Sequence, residues 1–300
     1  MKYKLRHVME YAALRSVSGL LAALPHRAAL ALAWGPARLA FALNRKLRAR
    51  TRRRLRQTLG SARSDRELDR IAWLAFRNLV FTAVEGLRLP AIRKEWVDRH
   101  MVLGSLNDLQ AELATRGGFI VAVPHMGNWE LAGIALHAQG VELMTLARRQ
   151  KNPLTDAWIN RLRRSTGVEA IDTKTRAIAD VARKLREERK VLALLPDVRA
   201  RAGVPVRFLG ADIQVPGGAA YYARASGLAV FTGEVTRHGW LRHGWRITGR
   251  IESDPALDEE ADRRRIMQYA LDRFAESIQA RPEDYFWFNK RWVLGEEAPP

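Results

Sequence analysis

The stretch Phe119-Ile-Val-Ala-Val-Pro-His-Met-Gly-Asn-Trp-Glu-Leu-Ala-Gly133 organises the rest of the chain. Its first five residues are apolar and mostly branched, which is typical of a strand in the interior of a sheet. Pro124 ends that strand, and the glycine and asparagine that follow allow a tight turn. Helical spacing of apolar residues resumes at Trp129. The stretch therefore predicts a strand-to-helix crossover that contains His125 and Glu130.

A histidine and a glutamate at this turn indicate acid-base chemistry. An imidazole can take a proton from a hydroxyl near neutral pH, and a carboxylate bonded to its other nitrogen fixes the tautomer and stabilises the imidazolium. Five residues of regular helix separate two side chains by about 140°, so His125 can meet Glu130 only from the turn before the helix. The alternative is a capping or packing histidine beside a solvated glutamate.

Strand and helix patterns alternate after this crossover. They fall, in order, at 141–146 (strand), 154–166 (helix), 168–171 (strand), 176–189 (helix) and 191–195 (strand). This alternation is typical of an α/β domain with its site at the carboxyl ends of the strands. We predict a single domain over residues 61–300, with a mostly parallel central sheet flanked by helices.

Three polar residues outside this region are expected at the surface. Apolar runs predict strands at 228–236 and 245–251, and the loop between them places His238 and His243 towards solvent. Glu85 falls within an otherwise apolar helical pattern, where a capping or surface position is expected.

The composition excludes several classes of function. The 300 residues are 47% apolar and include nine tryptophans, which is enough for a substantial core. There is no cysteine, so disulfides, thiol catalysis and cysteine metal sites are excluded. The histidines show no zinc-binding spacing, and the chain has no Gly-x4-Gly-Lys phosphate loop. We therefore expect neither a metal site nor nucleotide hydrolysis.

Positive charge is concentrated at the start of the chain. The formal net charge is +19, and residues 1–60 hold 14 lysines and arginines against a single acidic residue. Two apolar helical stretches, 8–24 and 28–43, come first, and neither is a clean span of about 20 apolar residues. A basic run follows that consists of Arg45, Lys46, Arg48, Arg50, Arg52, Arg53, Arg54 and Arg56.

We predict that residues 1–60 associate with a membrane. The two stretches would form a helical hairpin lying in or dipping into one leaflet, and the basic run would meet anionic headgroups at about 1 kcal/mol per charge. No signal-peptide pattern is present, so the segment is expected in the mature protein. Nucleic-acid binding is the alternative for the basic run, but the adjoining apolar helices and the lack of interleaved aromatic residues favour the membrane.

A series of motifs resembles the late acyltransferases of lipid A biosynthesis, within the wider group of lysophospholipid and glycerolipid acyltransferases. The resemblance covers nearly the whole chain, and its specificity comes from the order and spacing of motifs that are weak singly. They are the apolar N-terminus, the arginine-rich segment 44–56, Pro-His-Met-Gly-Asn-Trp-Glu at 124–130, Arg148 before Asn152-Pro153-Leu154, Arg163, Pro196-Asp197 and the aromatic segment 282–292.

The resemblance implies transfer of a fatty acyl group from a thioester to a lipid hydroxyl. The donor would be acyl carrier protein or coenzyme A, and the acceptor a 3-hydroxyacyl chain of a lipid A precursor. His125 would be the general base, Glu130 its orienting partner, and Arg163 the cation that stabilises an oxyanion or holds a phosphate. Four more residues are implied near the substrates, namely Asn128, Arg148, Asn152 and Asp197.

Direct attack in a ternary complex is the simplest mechanism, because the chain lacks both a cysteine and a Gly-x-Ser-x-Gly elbow. No cofactor is expected beyond the acyl-carrier-protein or acyl-coenzyme A co-substrate. The positive segment, the missing signal and an acidic carrier protein as donor together indicate the cytoplasmic face of the inner membrane. There the protein would be peripheral or held by its N-terminal segment.

Two departures from the family pattern leave the acceptor open. Val198 follows Asp197 where many members have glutamine, and Asn289-Lys290-Arg291 stands where His-Arg-Arg is usual. The first alternative is therefore an acyltransferase for another lipid, such as a glycerolipid, an aminolipid or a glycolipid. The second is a non-enzymatic basic protein that binds membranes or nucleic acid.

Overall fold

A computed structural model describes residues 3–60, 63–147, 149–172, 180–289 and 292–295. The α-helices are α1 Leu5–Ala23, α2 His26–Leu43, α3 Arg45–Leu59, α4 Asp65–Leu87, α5 Lys94–His100, α6 Leu106–Arg116, α7 Trp129–Ala138, α8 Pro153–Ser165, α9 Val181–Glu187, α10 Gly218–Ser226 and α11 Glu259–Ala280. The strands are β1 Met101–Leu103, β2 Phe119–Ala122, β3 Leu143–Ala147, β4 Val168–Asp172, β5 Val191–Leu194, β6 Val204–Phe208, β7 Ala211–Val215, β8 Val230–His238 and β9 Arg242–Ile251.

One seven-stranded sheet forms the centre of the described fold, with the order β1-β9-β8-β2-β5-β3-β4. Its neighbouring strands are parallel except for β8 and β9, which form an antiparallel hairpin. Helices flank this sheet, and β6 and β7 pair separately. The protein is thus a mixed α/β domain with a mostly parallel central sheet, as the alternating pattern predicts. Part of the predicted helix 176–189, residues 176–179, lies outside the described residues.

The strand-to-helix crossover has the predicted form. All four residues of β2 are buried between β5 and β8, which explains their continuous apolar character. The turn then needs Gly127, whose φ is +59° and whose Cβ, if it had one, would lie 2.4 Å from the carbonyl oxygen of Val235. Asn128 caps α7 by accepting a hydrogen bond from the backbone N–H of Leu131 at 3.1 Å.

The N-terminal helices pack on α4 and leave an apolar surface. Leu21 and Leu30 pack with Phe81 in a small separate core. Among the described residues, ten of the twelve large hydrophobic side chains that are exposed lie in residues 3–43, namely Tyr3, Leu5, Val8, Met9, Val17, Leu20, Leu32, Trp34, Leu39 and Leu43. In the part of the chain that the structure describes, none of the helices has the combination of length and hydropathy that a membrane-spanning segment requires. Membrane association of residues 1–60, and the boundary at residue 60, stay predictions.

The basic run forms α3, and one of its arginines is not available to headgroups. Arg54 is 1% exposed, and its Nη1 donates hydrogen bonds to the carbonyl oxygens of Trp287 at 2.5 Å and Asn289 at 2.9 Å. The expectation that Arg54 binds anionic lipid is therefore wrong, because the buried face of α3 includes this position. Arg45, Lys46, Arg53 and Arg56 are exposed, whereas Arg48, Arg50 and Arg52 are partly buried.

The strands β8 and β9 come closer together in sequence than predicted, and this changes the position of one histidine. They extend to His238 and from Arg242, so only residues 239–241 join them. His238 is exposed as predicted. His243 is fully buried, and the prediction that it faces solvent is wrong because it lies within β9 opposite Arg237.

Candidate active site

His125 and Asp197 meet at the carboxyl edge of the sheet. They follow β2 and β5, which are adjacent and parallel, so the ends of the two strands lie side by side. The His125 Nδ1–H donates to Asp197 Oδ1 at 2.7 Å, and the backbone N–H of His125 donates to Oδ2 at 2.9 Å. Both carboxylate oxygens of Asp197 therefore bind His125.

This arrangement leaves the other ring nitrogen of His125 as a base. When the proton is on Nδ1 and is donated to Asp197, the neutral imidazole has its free lone pair on Nε2. The His125 side chain is 24% exposed, whereas that of Asp197 is 1% exposed. Burial alone would lower the pKa of His125, but the charge of Asp197 and its hydrogen bond outweigh burial and raise that pKa above its ordinary value.

The expectation that Glu130 is the carboxylate bonded to Nδ1 of His125 is wrong. Glu130 lies in the first turn of α7, and its Oε1 accepts a hydrogen bond from Nη2 of Arg163 on α8 at 2.8 Å. Asp197 occupies Nδ1 because the neighbouring strand delivers it there. The sequence holds a signal for this pair, since both residues follow apolar runs that are expected to be parallel strands.

An apolar cavity of about 660 Å³ opens beside His125. Glu130 and Arg163 form a charged part of its lining. The apolar part comes from β2, α7, β3, β5 and β9 and includes Val121, Val123, Leu136, Leu143, Leu194 and Trp245. A cavity of this size and lining suits a ligand with a long apolar portion.

Residues 282–289, called here the closing segment, support the turn from the far end of the sequence. The backbone N–H of Phe286 donates to the carbonyl oxygen of His125 at 2.9 Å, and that of Gly127 donates to the carbonyl oxygen of Asp284 at 2.8 Å. Tyr285 is fully buried and hydrogen-bonded to Asp197; burial and the charge of Asp197 raise the pKa of its phenol well above the ordinary value. The sequence does not distinguish Tyr285 from the aromatic packing residues around it.

A buried network of charged residues around Glu85 contacts Asn128, at the end of the turn that carries His125. Glu85 is fully buried, and Arg237 donates to it through Nη1 at 2.9 Å and also through Nη2. The Nε2 atoms of His26 and His243 each lie 3.4 Å from Glu85 Oε1. Burial alone would raise the pKa of Glu85, but Arg237 and these histidines hold it well below the ordinary value. The surface or capping position expected for Glu85 is therefore wrong.

Two asparagines expected near the substrates have structural partners. Asn128 is 1% exposed, and its Nδ2 donates to Glu85 Oε2 at 2.6 Å. Asn152 caps α8, and its Nδ2 donates to the carbonyl oxygen of His7 at 2.9 Å and to Glu10 Oε2 at 3.1 Å. Both amides are used within the fold; contact of either residue with a substrate stays a prediction. Arg148 lies outside the described residues.

The fold and the site define an α/β protein in which a histidine-aspartate pair opens onto an apolar cavity. A family model described as bacterial lipid A biosynthesis acyltransferase matches residues 2–293. The chain belongs to this acyltransferase family, and the resemblance inferred from the motifs is confirmed.

Curated relatives are also named acyltransferases, but their names give a different lipid from that of the family model. A phosphatidylinositol mannoside acyltransferase of Mycobacterium tuberculosis strain H37Rv is 32% identical over 217 residues, which cover 70% of this chain and 66% of the relative. One of Mycolicibacterium smegmatis is 27% identical over 213 residues, covering 70% of this chain and 68% of the relative. The match thus spans about two thirds of the length of each relative.

Proposed function

We propose that this protein is a membrane-associated O-acyltransferase. It transfers a fatty acyl chain from the thioester of acyl carrier protein or coenzyme A to a hydroxyl group of a lipid. The observation that carries the proposal is the position of His125, whose Nε2 is left as a base beside the apolar cavity while Asp197 holds Nδ1.

The proposed reaction is a direct transfer. Nε2 of His125 takes the proton of the acceptor hydroxyl while the oxygen attacks the thioester carbonyl carbon. The tetrahedral intermediate then expels the thiolate, which receives the proton from the imidazolium. Asp197 keeps Nε2 free of a proton before the attack and stabilises the imidazolium afterwards. The acceptor gains an ester, the donor becomes a thiol, and the enzyme returns to its starting state.

Arg163 and Glu130 have a different role in this scheme. The guanidinium of Arg163 lines the cavity near His125, where it can stabilise the oxyanion of the intermediate or hold a phosphate of the acceptor. Its ion pair with Glu130 at 2.8 Å fixes the direction of the guanidinium. Glu130 is thus proposed as a positioning residue for the arginine.

The apolar part of the cavity is proposed to hold the acyl tail. Each methylene group removed from water contributes about 0.8 kcal/mol, so binding in the cavity favours an extended fatty chain over a short one. The exposed apolar side chains of residues 3–43 and the exposed charges Arg45, Lys46 and Arg53 support a location on an anionic membrane surface. We place the protein at the cytoplasmic face of the inner membrane.

Two acceptors remain in the proposal. The family description favours a 3-hydroxyacyl chain of a lipid A precursor. The names of the curated relatives favour a hydroxyl on a different glycolipid.

Mass spectrometry of lipids from cells with and without the protein separates these acceptors. A lost acyl group on lipid A supports the first acceptor, and a lost acyl group on another glycolipid supports the second. Purified His125→Ala, tested with a labelled acyl thioester and the affected lipid, is expected to lose at least about 10²-fold in turnover and to keep its binding to vesicles. Unchanged transfer by this variant would overturn the proposal.

A further inference from the structure

A second cavity, of about 1080 Å³, adjoins the site and has a basic lining. We call it the arginine groove. Its charged lining consists of Arg199, Arg201, Arg207, Arg264 and a single acid, Asp212. The lining therefore carries a net charge of +3. Arg199 lines both the groove and the apolar cavity beside His125, so the two adjoin at this residue.

The arginine groove is a defined surface of the fold. Side chains alternate along β6 and β7, which turns Pro205 and Arg207 outwards on one strand and Asp212 and Gln214 outwards on the other. Gln268 of α11 exchanges two hydrogen bonds of 2.8 Å with the main chain of Arg207. The hairpin that carries Arg207 is therefore fixed against α11.

The four arginines are not neutralised by the rest of the described fold. All four arginines are exposed. Within the described ranges, none of them forms an ion pair, although many other arginines of this chain do. Several unpaired guanidinium groups in one concave site favour a ligand with several phosphate groups, because each planar guanidinium can bind a phosphate through two hydrogen bonds.

We infer that the arginine groove binds the phosphate groups of a coenzyme A thioester. This inference rests on the proposed acyl transfer and assigns its donor. Coenzyme A carries a diphosphate and a 3′-phosphate at the end opposite its thiol, so it matches a basic groove that adjoins the cavity beside His125. A carrier protein would present one phosphate and a broad acidic surface, and such a partner fits a wide patch better than a groove.

Kinetics with two donors test the inference. Coenzyme A esters are compared with acyl-pantetheine, which has the same thioester and no phosphate. The double substitution Arg201→Gln and Arg207→Gln is expected to raise KM for acyl-coenzyme A about tenfold or more, as loss of charge-assisted hydrogen bonds at an exposed site predicts. KM for acyl-pantetheine is expected to be about the same in the double variant and the parent protein.

The matched control is Arg116→Gln. Arg116 is an exposed arginine that ends α6 just before β2, at the opposite edge of the sheet. Combined with Arg189→Gln, which changes a second exposed arginine beside Gly117, the substitution removes the same two charges and is expected to leave KM for both donors unchanged. If this control pair raises KM for acyl-coenzyme A as much as the double variant does, the effect is one of net charge and the inference is wrong.

Calorimetry with desulfo-coenzyme A gives a readout that needs no turnover. The double variant is expected to bind this probe about tenfold more weakly than the parent protein. Equal binding by parent and variant, or a loss that appears with acyl carrier protein but not with acyl-coenzyme A, would overturn the inference. Failure of the proposed function looks different, since the parent protein would then transfer no acyl group from any donor.

Discussion

Asp197 binds both the ring and the main chain of His125, through Oδ1 to Nδ1 at 2.7 Å and through Oδ2 to the backbone N–H at 2.9 Å. One carboxylate thus fixes the tautomer of the imidazole and the position of the turn that carries it. Glu130, five residues along the chain, has no such contact and is paired with Arg163.

Asp197→Asn is expected to lower kcat by about 10²- to 10⁴-fold. The amide lacks the charge that stabilises the imidazolium and can also hold the ring in the wrong tautomer. Steady-state kinetics over a range of pH check this, with Glu130→Gln as the matched control. The control is expected to reduce turnover through Arg163 but to leave the pKa of His125 in the pH profile unchanged. A shifted pKa in Glu130→Gln and none in Asp197→Asn would contradict the assignment.

The unsubstituted protein is expected to lose activity as the pH falls. Only the neutral imidazole is a base, and Asp197 raises the pKa of His125 above 6.5. A plot of kcat/KM against pH should therefore rise to a plateau with a midpoint above 6.5. In Asp197→Asn, burial still lowers the pKa of His125 but the aspartate charge that raises it is gone, so the midpoint should move to lower pH. A midpoint that does not move would show that Asp197 does not set the pKa.

The same pair predicts a contribution to folding. A raised pKa in the folded state means that the protonated pair stabilises the fold below the unfolded pKa, and that this contribution is lost as the pH rises through the folded pKa. Unfolding titrations of the parent and His125→Ala between pH 5 and 9 measure it. The difference in free energy of unfolding between the two proteins should shrink across that range.

Gly133→Leu is expected to shift the enzyme towards shorter acyl chains. A Cβ at Gly133 would lie 3.7 Å from Val168 and 3.8 Å from Leu143, two residues of the cavity wall, so a larger side chain there fills the cavity. Overpacking by a long chain costs about 1–3 kcal/mol, which lowers kcat/KM for that chain about five- to 150-fold. A series of acyl donors of increasing length measures the change.

Gly86→Leu is the control for Gly133→Leu. Gly86 also lies within a helix, and a Cβ there meets no atom within 4 Å. The control should keep the chain-length profile of the parent protein. Matching profiles for Gly133→Leu and the parent would mean that the acyl tail does not occupy this cavity.

Two neighbouring arginines of α3 are expected to behave oppositely. Arg54→Gln removes buried hydrogen bonds to the closing segment and should lower the free energy of unfolding by about 2–4 kcal/mol. Arg53→Gln should change stability by less than about 0.5 kcal/mol, because Arg53 is exposed. It should instead weaken binding to anionic vesicles by about fivefold, equivalent to about 1 kcal/mol. Chemical denaturation and vesicle sedimentation distinguish the two outcomes.

Glu85→Gln is expected to destabilise the protein by about 3–5 kcal/mol, because it leaves the buried guanidinium of Arg237 without its counter-charge. The pKa of Glu85 lies well below 4.5, so its contribution is present above that pH and is lost as the pH falls. Chemical denaturation at pH 7 and below pH 4.5 measures both effects.

Glu234→Gln provides the comparison for Glu85→Gln. Its partner Arg246 is 63% exposed, so water can replace the lost ion pair. The expected cost is below about 1 kcal/mol. Equal losses in the two variants would mean that the Glu85 network is no stronger than an ion pair with one exposed partner.

Local patterns are sufficient to predict the central part of the fold. The apolar run at Phe119, the proline that ends it and the helical spacing that follows give β2, the turn and α7. Alternation of strands and helices gives the parallel sheet. These features depend on contacts close in sequence, which leave a periodic pattern, or on burial of whole strands, which leaves a continuous apolar run.

The errors concern pairings between distant parts of the chain. The spacing of His125 and Glu130 favours a pair five residues apart, but strand order brings Asp197 to the ring instead. In sequence, Arg54 resembles its exposed neighbours in the basic run, and Glu85 and His243 resemble surface residues. Their burial is not visible there, because their partners come from other elements. A buried charge becomes recognisable only when the position of its counter-charge is known.

The closing segment has a consequence for biosynthesis. The turn with His125 leaves the ribosome well before the residues whose backbone atoms bind His125 and Gly127. A nascent chain in which the closing segment has not yet been made thus carries the base but not the backbone partners that support it. In the proposed function, such a chain would not be competent for acyl transfer.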